Sequence, residues 1–126
     1  PDFNGNRSSL ETVIKALPNV LNHNIETCRR VFRVVRPKGD YDQSLELLRR
    51  VKELNPNIPT KSGMMVGLGE TEDEIIETMN DLRKVNCDLL TIGQYLRPSK
   101  KHHEIDKFYH PKEFTKFGMS LYIKLL

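Results

Sequence analysis

The sequence predicts an α/β fold: a partial parallel β/α barrel of the TIM type, with about three strands and flanking helices. Strand-like apolar segments alternate with amphipathic helical patterns, the order expected of parallel strands joined by right-handed crossovers. The strand segments are short and glycine-bounded, which favours buried strands over helices. The chain has 126 residues, about half of what a closed barrel needs. We therefore expect residues 1–126 to form a single piece of such a barrel and no complete domain.

The first half of the chain predicts a helix, a strand and two further helices. Residues 8–11 have the sequence Ser-Ser-Leu-Glu, which is typical of a capping box with Ser8 as N-cap. Residues 19–24 form the first strand candidate. Apolar residues at helical spacing predict a second helix over residues 28–35. Asp42 is placed to cap the third helix.

The second half predicts two buried strands, each followed by a helix. Residues 61–67 and 88–94 are apolar segments bounded by glycine or a turn, as expected of strands in the interior of a sheet. Residues 71–74 have the sequence Thr-Glu-Asp-Glu and form a second capping box. Pro111 suits the first turn of a last helix. Helices are expected to pack on one side of the sheet.

Composition excludes several classes of protein. Lys and Arg total 20 against 17 Asp and Glu, a net charge of +3. This excess is too small to predict a nucleic-acid partner, which needs a clustered basic face. No apolar run approaches the length of a membrane span, so we expect no membrane partner. Cys28 and Cys87 lie in no CxxC spacing, so we expect no metal ligands and a reducing compartment.

Polar residues follow each predicted strand, and parallel strands bring their carboxyl ends to one edge of a sheet. Residues 23–27 (HNIET) could hold a ribose, an amine or a metal, or simply cap a helix. Residues 63–71 could bring backbone close to a ligand, or form a tight strand-to-helix turn. Residues 94–103 are basic and could clamp a carboxylate, meet an acidic partner protein, or be solvated surface.

Together these motifs resemble the lipoyl synthases, a family of radical S-adenosylmethionine enzymes. The resemblance extends from residue 1 to about residue 117 and depends on the order and spacing of several blocks. Biotin synthase and other radical S-adenosylmethionine enzymes share the glycine-rich strand pattern. They do not share the blocks at residues 23–27 (HNIET) and 93–99 (GQYLRPS). The blocks include HNIET (23–27), GMMVGLGET (63–71), GQYLRPS (93–99), PDFNGN (1–6) and DYDQSL (40–45).

The resemblance implies an activity and its cofactors. Lipoyl synthases insert two sulfur atoms into a protein-bound octanoyl chain to make the lipoyl cofactor. One [4Fe–4S] cluster cleaves S-adenosylmethionine to a radical that abstracts hydrogens, and a second, sacrificial cluster supplies the sulfur. The implied partner is an octanoylated lipoyl-carrier domain or protein. The implied compartment is the cytoplasm in a bacterium and the mitochondrion in a eukaryote.

The chain departs from the family pattern at both ends. It contains neither the CxxxCxxC motif, nor the upstream cysteine set, nor the closing Arg-Ser-Ser-Tyr. We therefore expect a piece truncated at both ends, with its cluster ligands outside this chain, and inactive alone. The alternative is a non-catalytic remnant or partner-binding fragment of a radical S-adenosylmethionine barrel. A third interpretation is a phosphate-binding barrel piece that uses residues 67–71, and the HNIET block argues against it.

The resemblance also implies roles for individual residues, with no catalytic residue and no metal ligand among them. Asn24 and Glu26 match the family's HN-x-E block and are expected to hold the amine or ribose of S-adenosylmethionine. Arg36 is the candidate for its carboxylate. The remaining candidates are expected to shape the adenine slot through backbone contacts (Gly63, Val66, Gly67) or to meet substrate (Gln94, Tyr95, Arg97). Asn24, Glu26 and Arg36 are expected to face the same mouth as Gly67.

Overall fold

Three parallel strands form one sheet in the order β1-β2-β3. A computed structural model describes the backbone of residues 2–125 and the side chains of residues 2–118. The strands are β1 (Leu21–Asn22), β2 (Thr60–Val66) and β3 (Leu89–Gln94). Both strand pairs are parallel, so the predicted α/β arrangement is confirmed. The first strand is shorter than predicted, although a further parallel bridge joins Glu26 to Met64 beyond its end.

Helices connect the strands and follow the last one. A short 3-10 helix precedes the first α-helix, and the crossover from β1 to β2 contains two helices. The predicted number and order of α-helices are confirmed for the described residues. Their bounds are Phe3–Gly5 for the 3-10 helix, then α1 (Arg7–Lys15), α2 (Arg29–Val35), α3 (Tyr41–Leu54), α4 (Glu72–Lys84) and α5 (Pro111–Leu125).

The first helix begins earlier than its predicted capping box. Asn6 is the N-cap, and its Oδ1 accepts a hydrogen bond from Ser9 N at 3.1 Å. The assignment of Ser8 as N-cap is therefore wrong. Glu11 pairs with Arg7 at 3.1 Å instead of capping the helix. The reason is local: the 3-10 turn ends at Asn6, whose extended backbone already satisfies the geometry of a cap.

The third helix is capped by Asp40, not by Asp42 as predicted. The Asp40 carboxylate accepts from Gln43 N at 2.9 Å. Asp42 lies within the first turn and its carboxylate pairs with Arg29 at 2.7 Å. The capping box of α4 is confirmed, because Thr71 and Glu74 each accept from the other's backbone N–H.

Helices cover one face of the sheet, as predicted. Along β2, fully buried residues alternate with partly exposed ones, which is the pattern of a strand with one covered face. The covered face of β2 packs against apolar side chains of α1, α3 and α4. The members of this core on these elements include Leu10, Leu48, Val51, Met64, Ile75 and Met79.

The other face of the sheet is open in the described residues. Because paired residues of parallel strands point to the same side, Gly63 and Thr91 share this face, as do Met65 and Gly93. Leu89 on the same face is half exposed. None of the helices that the structure describes is long and apolar enough to cross a membrane. Beside the carboxyl end of β1, the open face of the sheet presents bare backbone at Gly63 and Gly93.

Candidate functional site

The HNIET loop is bonded to β2 by its backbone. Ile25 N donates to the buried Ser62 Oγ at 3.0 Å. Glu26 N donates to Gly63 O at 3.0 Å, and Met65 N donates to Glu26 O at 2.7 Å. The Ile25 side chain is fully buried. These contacts fix the loop as an irregular continuation of β1, so its polar side chains have defined positions at the carboxyl end of the strand.

Glu26 adopts a backbone conformation that is uncommon for its residue type. Its φ is 69°, in the left-handed region, which costs a non-glycine residue about 1–3 kcal/mol. Its carboxylate reaches Arg36 Nη1 at 3.2 Å. The side chains of Glu26 and Arg36 are 24% and 56% exposed, so this ion pair contributes at most about 1 kcal/mol. A ligand with its own charged groups can therefore replace the pair at little cost.

Asn24 lies across the open face of the sheet, directly above Gly63. A Cβ atom on Gly63 would approach Asn24 Oδ1 to 2.9 Å, closer than real Cβ contacts allow. The same oxygen accepts from Asn22 Nδ2 at 3.3 Å. The absence of a side chain at Gly63 is therefore what lets the Asn24 amide lie flat against the strand.

These residues meet in two adjoining grooves. The first has a volume of about 720 Å³ and is bounded by the HNIET loop and the end of α2. The second, about 770 Å³, runs over the open face of the sheet. Both are within the size range of small-molecule sites. Asn22, Asn24 and Glu26 line both grooves, Arg36 and His23 line the first, and Gly63 and Met65 line the second.

His23 forms part of the wall of the first groove. It belongs to the predicted block 23–27, but no individual role was predicted for it. Its Nε2 lies 3.0 Å from Ser44 Oγ. Because the Ser44 hydroxyl donates to Asp40 O at 3.0 Å, the histidine must donate to Ser44. Burial lowers the pKa of His23, and the nearby Arg36 guanidinium acts in the same direction. The ring is therefore held neutral at neutral pH and ties the loop to α3.

Ser62 is a second residue that the sequence reasoning missed. It is fully buried on the covered face of β2, where its hydroxyl accepts from Ile25 N. A hydroxyl residue at an inward position, next to the apolar end of the strand, is the signal that could have indicated it. His23 carried a comparable signal, since it begins the HNIET block.

Gly67 lies at the same edge of the sheet but lines neither groove. It is four residues beyond Gly63 on β2, a distance of about 13 Å along an extended strand. Its φ of +99° requires glycine, and an added Cβ would lie 2.5 Å from Lys107 O. The Val66 side chain is fully buried and its carbonyl accepts from Tyr95 N at 2.8 Å. The structure therefore brings Asn24, Glu26 and Arg36 together without Val66 or Gly67.

The turn after β2 binds its own carboxylate. Glu70 accepts from Gly67 N at 2.6 Å and from Leu68 N at 2.9 Å. At the end of the turn, in the capping box, Glu74 accepts from Thr71 N at 2.8 Å. Three of the amides that a glycine-rich turn would offer to a phosphate, those of Gly67, Leu68 and Thr71, are thus occupied internally. This arrangement disfavours the phosphate-binding interpretation and supports the tight-turn alternative.

Gln94, Tyr95 and Arg97 hold the segment that follows β3. Gln94 Nε2 donates to Lys107 O at 3.0 Å and its Oε1 accepts from Tyr109 N at 2.9 Å. The Tyr95 hydroxyl donates to His103 O at 2.9 Å. Arg97 donates to two backbone carbonyls of the same loop. None of the three lines the grooves that contain Asn24 and Glu26.

The described residues contain no group of three or more His, Cys, Asp or Glu side chains that could hold a metal ion. Both cysteines are free. Burial raises the pKa of the Cys28 and Cys87 thiols, which makes them poor ligands and poor nucleophiles. Cys28 follows the carboxyl end of β1, whereas Cys87 precedes β3, so they lie at opposite ends of the sheet. The described residues do not fit an iron–sulfur cluster.

Comparison with known proteins identifies a superfamily and a set of similar proteins. The model of the radical SAM superfamily matches residues 1–82. The chain is 57% identical over 117 residues to lipoyl synthase of Caldanaerobacter subterraneus subsp. tengcongensis, covering 93% of this chain and 41% of that protein. It is 60% identical over 114 residues to lipoyl synthase of Shouchella clausii, and this match covers 90% of this chain and 37% of that protein. It is 55% identical over 114 residues to lipoyl synthase of Bacillus subtilis, and this match covers 90% of this chain and 38% of that protein.

The resemblance to lipoyl synthases that the motifs indicate is confirmed by these relatives, all of which come from bacteria. The chain spans about two fifths of their length. The region matched by the superfamily model includes the HNIET loop, Arg36 and Gly63. It contains every residue that lines the first groove and the part of the second groove formed by residues 20–65.

Proposed function

The chain belongs to the radical SAM superfamily, and we propose that it forms the S-adenosylmethionine-binding wall of a lipoyl synthase. The observation that carries this proposal is the convergence of Asn24, Glu26 and Arg36 beside Gly63 at the carboxyl end of β1. The proposed reaction of the whole protein is the insertion of two sulfur atoms into a protein-bound octanoyl chain. Residues 1–126 are then one piece of a longer β/α barrel.

The charges of the first groove fit the methionine part of the cofactor. S-adenosylmethionine carries an ammonium and a carboxylate on one carbon atom. Glu26 offers a carboxylate for the ammonium, and Arg36 offers a guanidinium for the carboxylate. The two side chains now pair with each other at 3.2 Å. Binding would exchange this one exposed pair for two charge-assisted hydrogen-bonded pairs, each about twice as strong as a neutral hydrogen bond.

The nucleoside part fits the second groove. The Asn24 amide can donate to and accept from ribose hydroxyls, and Asn22 lies within hydrogen-bond distance of it. Gly63 leaves the strand bare at this point, so a flat adenine ring can approach the backbone. In this proposal Val66 and Gly67 shape the far end of the slot through the course of the strand, because their polar groups are used internally.

Gln94, Tyr95 and Arg97 are proposed to serve the octanoyl-carrier substrate indirectly. Their side chains hold residues 100–109 against the carboxyl edge of the sheet. The returning segment also binds the turn after β2, since Asp106 N donates to Gly67 O at 2.8 Å. Gln94, Tyr95 and Arg97 are therefore positioning residues in this proposal. The carrier protein would contact the surface formed by residues 100–109, which these three side chains hold in place.

Bound S-adenosylmethionine and two [4Fe–4S] clusters supply the radical and the sulfur in the proposed reaction. Because the described residues offer no ligand set for a cluster, we place the cluster ligands outside this chain and expect the chain alone to be inactive. Its own residues bind the cofactor and orient it: Glu26 and Arg36 fix the amino-acid end, and Asn24 fixes the ribose.

The alternative function is that of a non-catalytic remnant or partner-binding piece of the same barrel. The two functions differ in cofactor binding. A binding wall retains affinity for S-adenosylmethionine that depends on Glu26, whereas a remnant does not.

The test of the proposal is the substitution Glu26→Gln. We expect it to weaken binding of S-adenosylmethionine by tenfold to a hundredfold, since a hydrogen bond to a charged group is worth roughly 1.5–3 kcal/mol. Affinity is measured by isothermal titration of the chain, and again at the matching position of a full-length relative, where iron content is measured beside it. Iron content should stay constant because this position supplies no ligand.

Glu11→Gln is the matched control, because Glu11 also pairs with an arginine at the surface but lines neither groove. The affinity of the Glu11→Gln variant for S-adenosylmethionine should equal that of the unmodified chain. Unchanged affinity of the Glu26→Gln variant would reduce Glu26 to a residue that only stabilises the loop.

A further inference from the structure

A basic loop leaves the carboxyl edge of the sheet directly after β3. We define the basic loop as residues 97–103, which contain Arg97, Lys100, Lys101, His102 and His103 and no acidic residue. Parallel strands place this edge on the same side as the ends of β1 and β2. A macromolecule that approaches the two grooves from this side therefore meets the basic loop.

The basic loop is held in one conformation by its own hydrogen bonds. Arg97 donates to His102 O at 2.9 Å and to Lys100 O at 2.7 Å. Ser99 Oγ lies 2.9 Å from His102 Nδ1 and accepts from Lys101 N at 3.3 Å. A loop that is ordered before binding loses less conformational entropy when a partner docks. The bonds thus make the loop a preorganised surface.

The charges at its tip are available to a partner. Lys100 and Lys101 are exposed, and neither ammonium pairs with a carboxylate in the part of the chain that the structure describes. Arg97 lies 3.5 Å from Glu104, whose side chain is 83% exposed. The three arginine and lysine residues of the loop outnumber the two carboxylates that follow it, Glu104 and Asp106. This excess gives the edge a local positive potential.

Two exposed apolar side chains flank the basic loop. Leu96 is 67% exposed and Phe108 is 69% exposed. Gln94 bonds the backbone on both sides of Phe108, at Lys107 and Tyr109, and Leu96 follows Gln94 by two residues. Phe108 and Leu96 are thus fixed at the same strand end. Apolar and aromatic side chains bordered by basic residues are the composition of a protein–protein interface.

We propose that the basic loop, with Leu96 and Phe108, docks an acidic face of the octanoylated carrier domain. This inference rests on the proposed function, which requires a substrate attached to a protein. A protein partner accounts for the apolar flanks as well as the charge, whereas a nucleic acid would require a larger basic surface than a chain of net charge +3 provides. Electrostatic attraction would steer the carrier, and the apolar pair would hold it.

The test reverses the two lysines and measures carrier binding. The variant Lys100→Glu/Lys101→Glu and the unmodified chain are titrated with an octanoylated lipoyl-carrier domain of net negative charge, at low ionic strength. We expect the double reversal to weaken binding at least tenfold. Raising the salt to about 0.5 M should remove most of the difference, since exposed charges are screened at that ionic strength.

The matched control is Lys15→Glu/Arg33→Glu, which changes the net charge by the same amount at exposed positions of α1 and α2. It should bind the carrier no more than about threefold more weakly than the unmodified chain, since only the loss of overall charge acts. Circular dichroism monitors folding of each variant. Should the double reversal fail to fold, Lys100→Ala/Lys101→Ala takes its place, with a loss of about threefold expected against no measurable loss in its own control, Lys15→Ala/Arg33→Ala.

Several results would overturn the inference. These are equal losses in the reversal and the control, no loss in the reversal, no binding of the carrier by the unmodified chain, or tighter binding of single-stranded RNA than of the carrier. Titration of S-adenosylmethionine into the same variants should give the same affinity as titration into the unmodified chain. The proposed function fails on that cofactor affinity in the unmodified chain, whereas this inference fails on carrier affinity, so the two failures are distinguishable.

Discussion

Gly63 is the position where the smallest change has the largest expected effect on the site. Its missing side chain lets the Asn24 amide lie against β2. Asn24 is otherwise restrained by a single long hydrogen bond from Asn22, so its position depends on the surface below it. A methyl group at residue 63 would lift the amide away from the strand and fill part of the second groove.

We predict that Gly63→Ala weakens binding of S-adenosylmethionine at least tenfold, with little loss of fold stability. The stability should change little because the added methyl group enters an open groove and displaces a flexible side chain. Isothermal titration measures the affinity, and urea denaturation measures the free energy of unfolding.

Gly93→Ala is the control for this substitution. Gly93 lies on the same face of the neighbouring strand, and an added Cβ there meets nothing within 4 Å. Its affinity for the cofactor should remain within about twofold of the unmodified chain. Equal affinities for the two alanine variants would mean that the position of Asn24 does not matter for binding.

The candidate site was partly predictable residue by residue. Asn24, Glu26 and Arg36 were expected at one strand end, and the structure brings them together. Ser62 and His23 were not selected, because their contribution depends on partners distant in sequence, Ile25 and Ser44. Single-sequence patterns contain the residue types of such pairs but not the pairing itself.

At the scale of elements, the turn between β2 and α4 depends on one buried carboxylate. Glu70 is 8% exposed and accepts from two successive backbone amides. Glu70 also raises the pKa of the Tyr109 hydroxyl, although burial of that hydroxyl is the larger cause. The carboxylate therefore joins the turn to the segment that returns from β3, and both depend on its charge.

We predict that Glu70→Gln lowers the free energy of unfolding by about 1–3 kcal/mol, the cost of leaving a buried amide without a good acceptor. In the native turn, the N–H groups of Gly67 and Leu68 each donate to one oxygen of the Glu70 carboxylate. A glutamine side chain has only one acceptor oxygen, so its NH₂ group would face one of these two N–H donors. Urea denaturation followed by circular dichroism measures the change. Glu104→Gln serves as the control, because Glu104 is 83% exposed, and should change stability by less than about 0.5 kcal/mol. A Glu70→Gln variant as stable as the control would contradict the assigned role.

The elements themselves were more predictable than their ends. Hydrophobic spacing indicated each α-helix and each strand in the correct order. The caps of α1 and α3 were misplaced by two residues, because Asn6 and Asp40 lie just ahead of the predicted Ser8 and Asp42. Several side chains near a helix start have cap chemistry, and only the backbone conformation selects one of them.

At the scale of the whole molecule, the apolar core and the candidate binding surfaces lie on opposite faces of the sheet. Its covered face carries the apolar core, whereas its open face and carboxyl edge carry the grooves and the basic loop. The alternation along β2 was hidden in the sequence, because Gly63 and Met65 on the open face are no more polar than Met64 and Val66 on the covered face. Polarity alone therefore predicted a strand but not which of its faces is open.

The separation of the two cysteines leads to a last prediction, that the chain alone assembles no iron–sulfur cluster. Cys28 and Cys87 lie at opposite ends of the sheet, and the seven residues of β2 span about 23 Å at roughly 3.3 Å each. A [4Fe–4S] cluster uses about four thiolates close together. Anaerobic reconstitution with iron and sulfide should give no more cluster absorbance than the Cys28→Ser/Cys87→Ser variant treated in parallel. A stoichiometric cluster that is lost in this variant would show that these cysteines act as ligands, contrary to the placement of the ligands outside this chain.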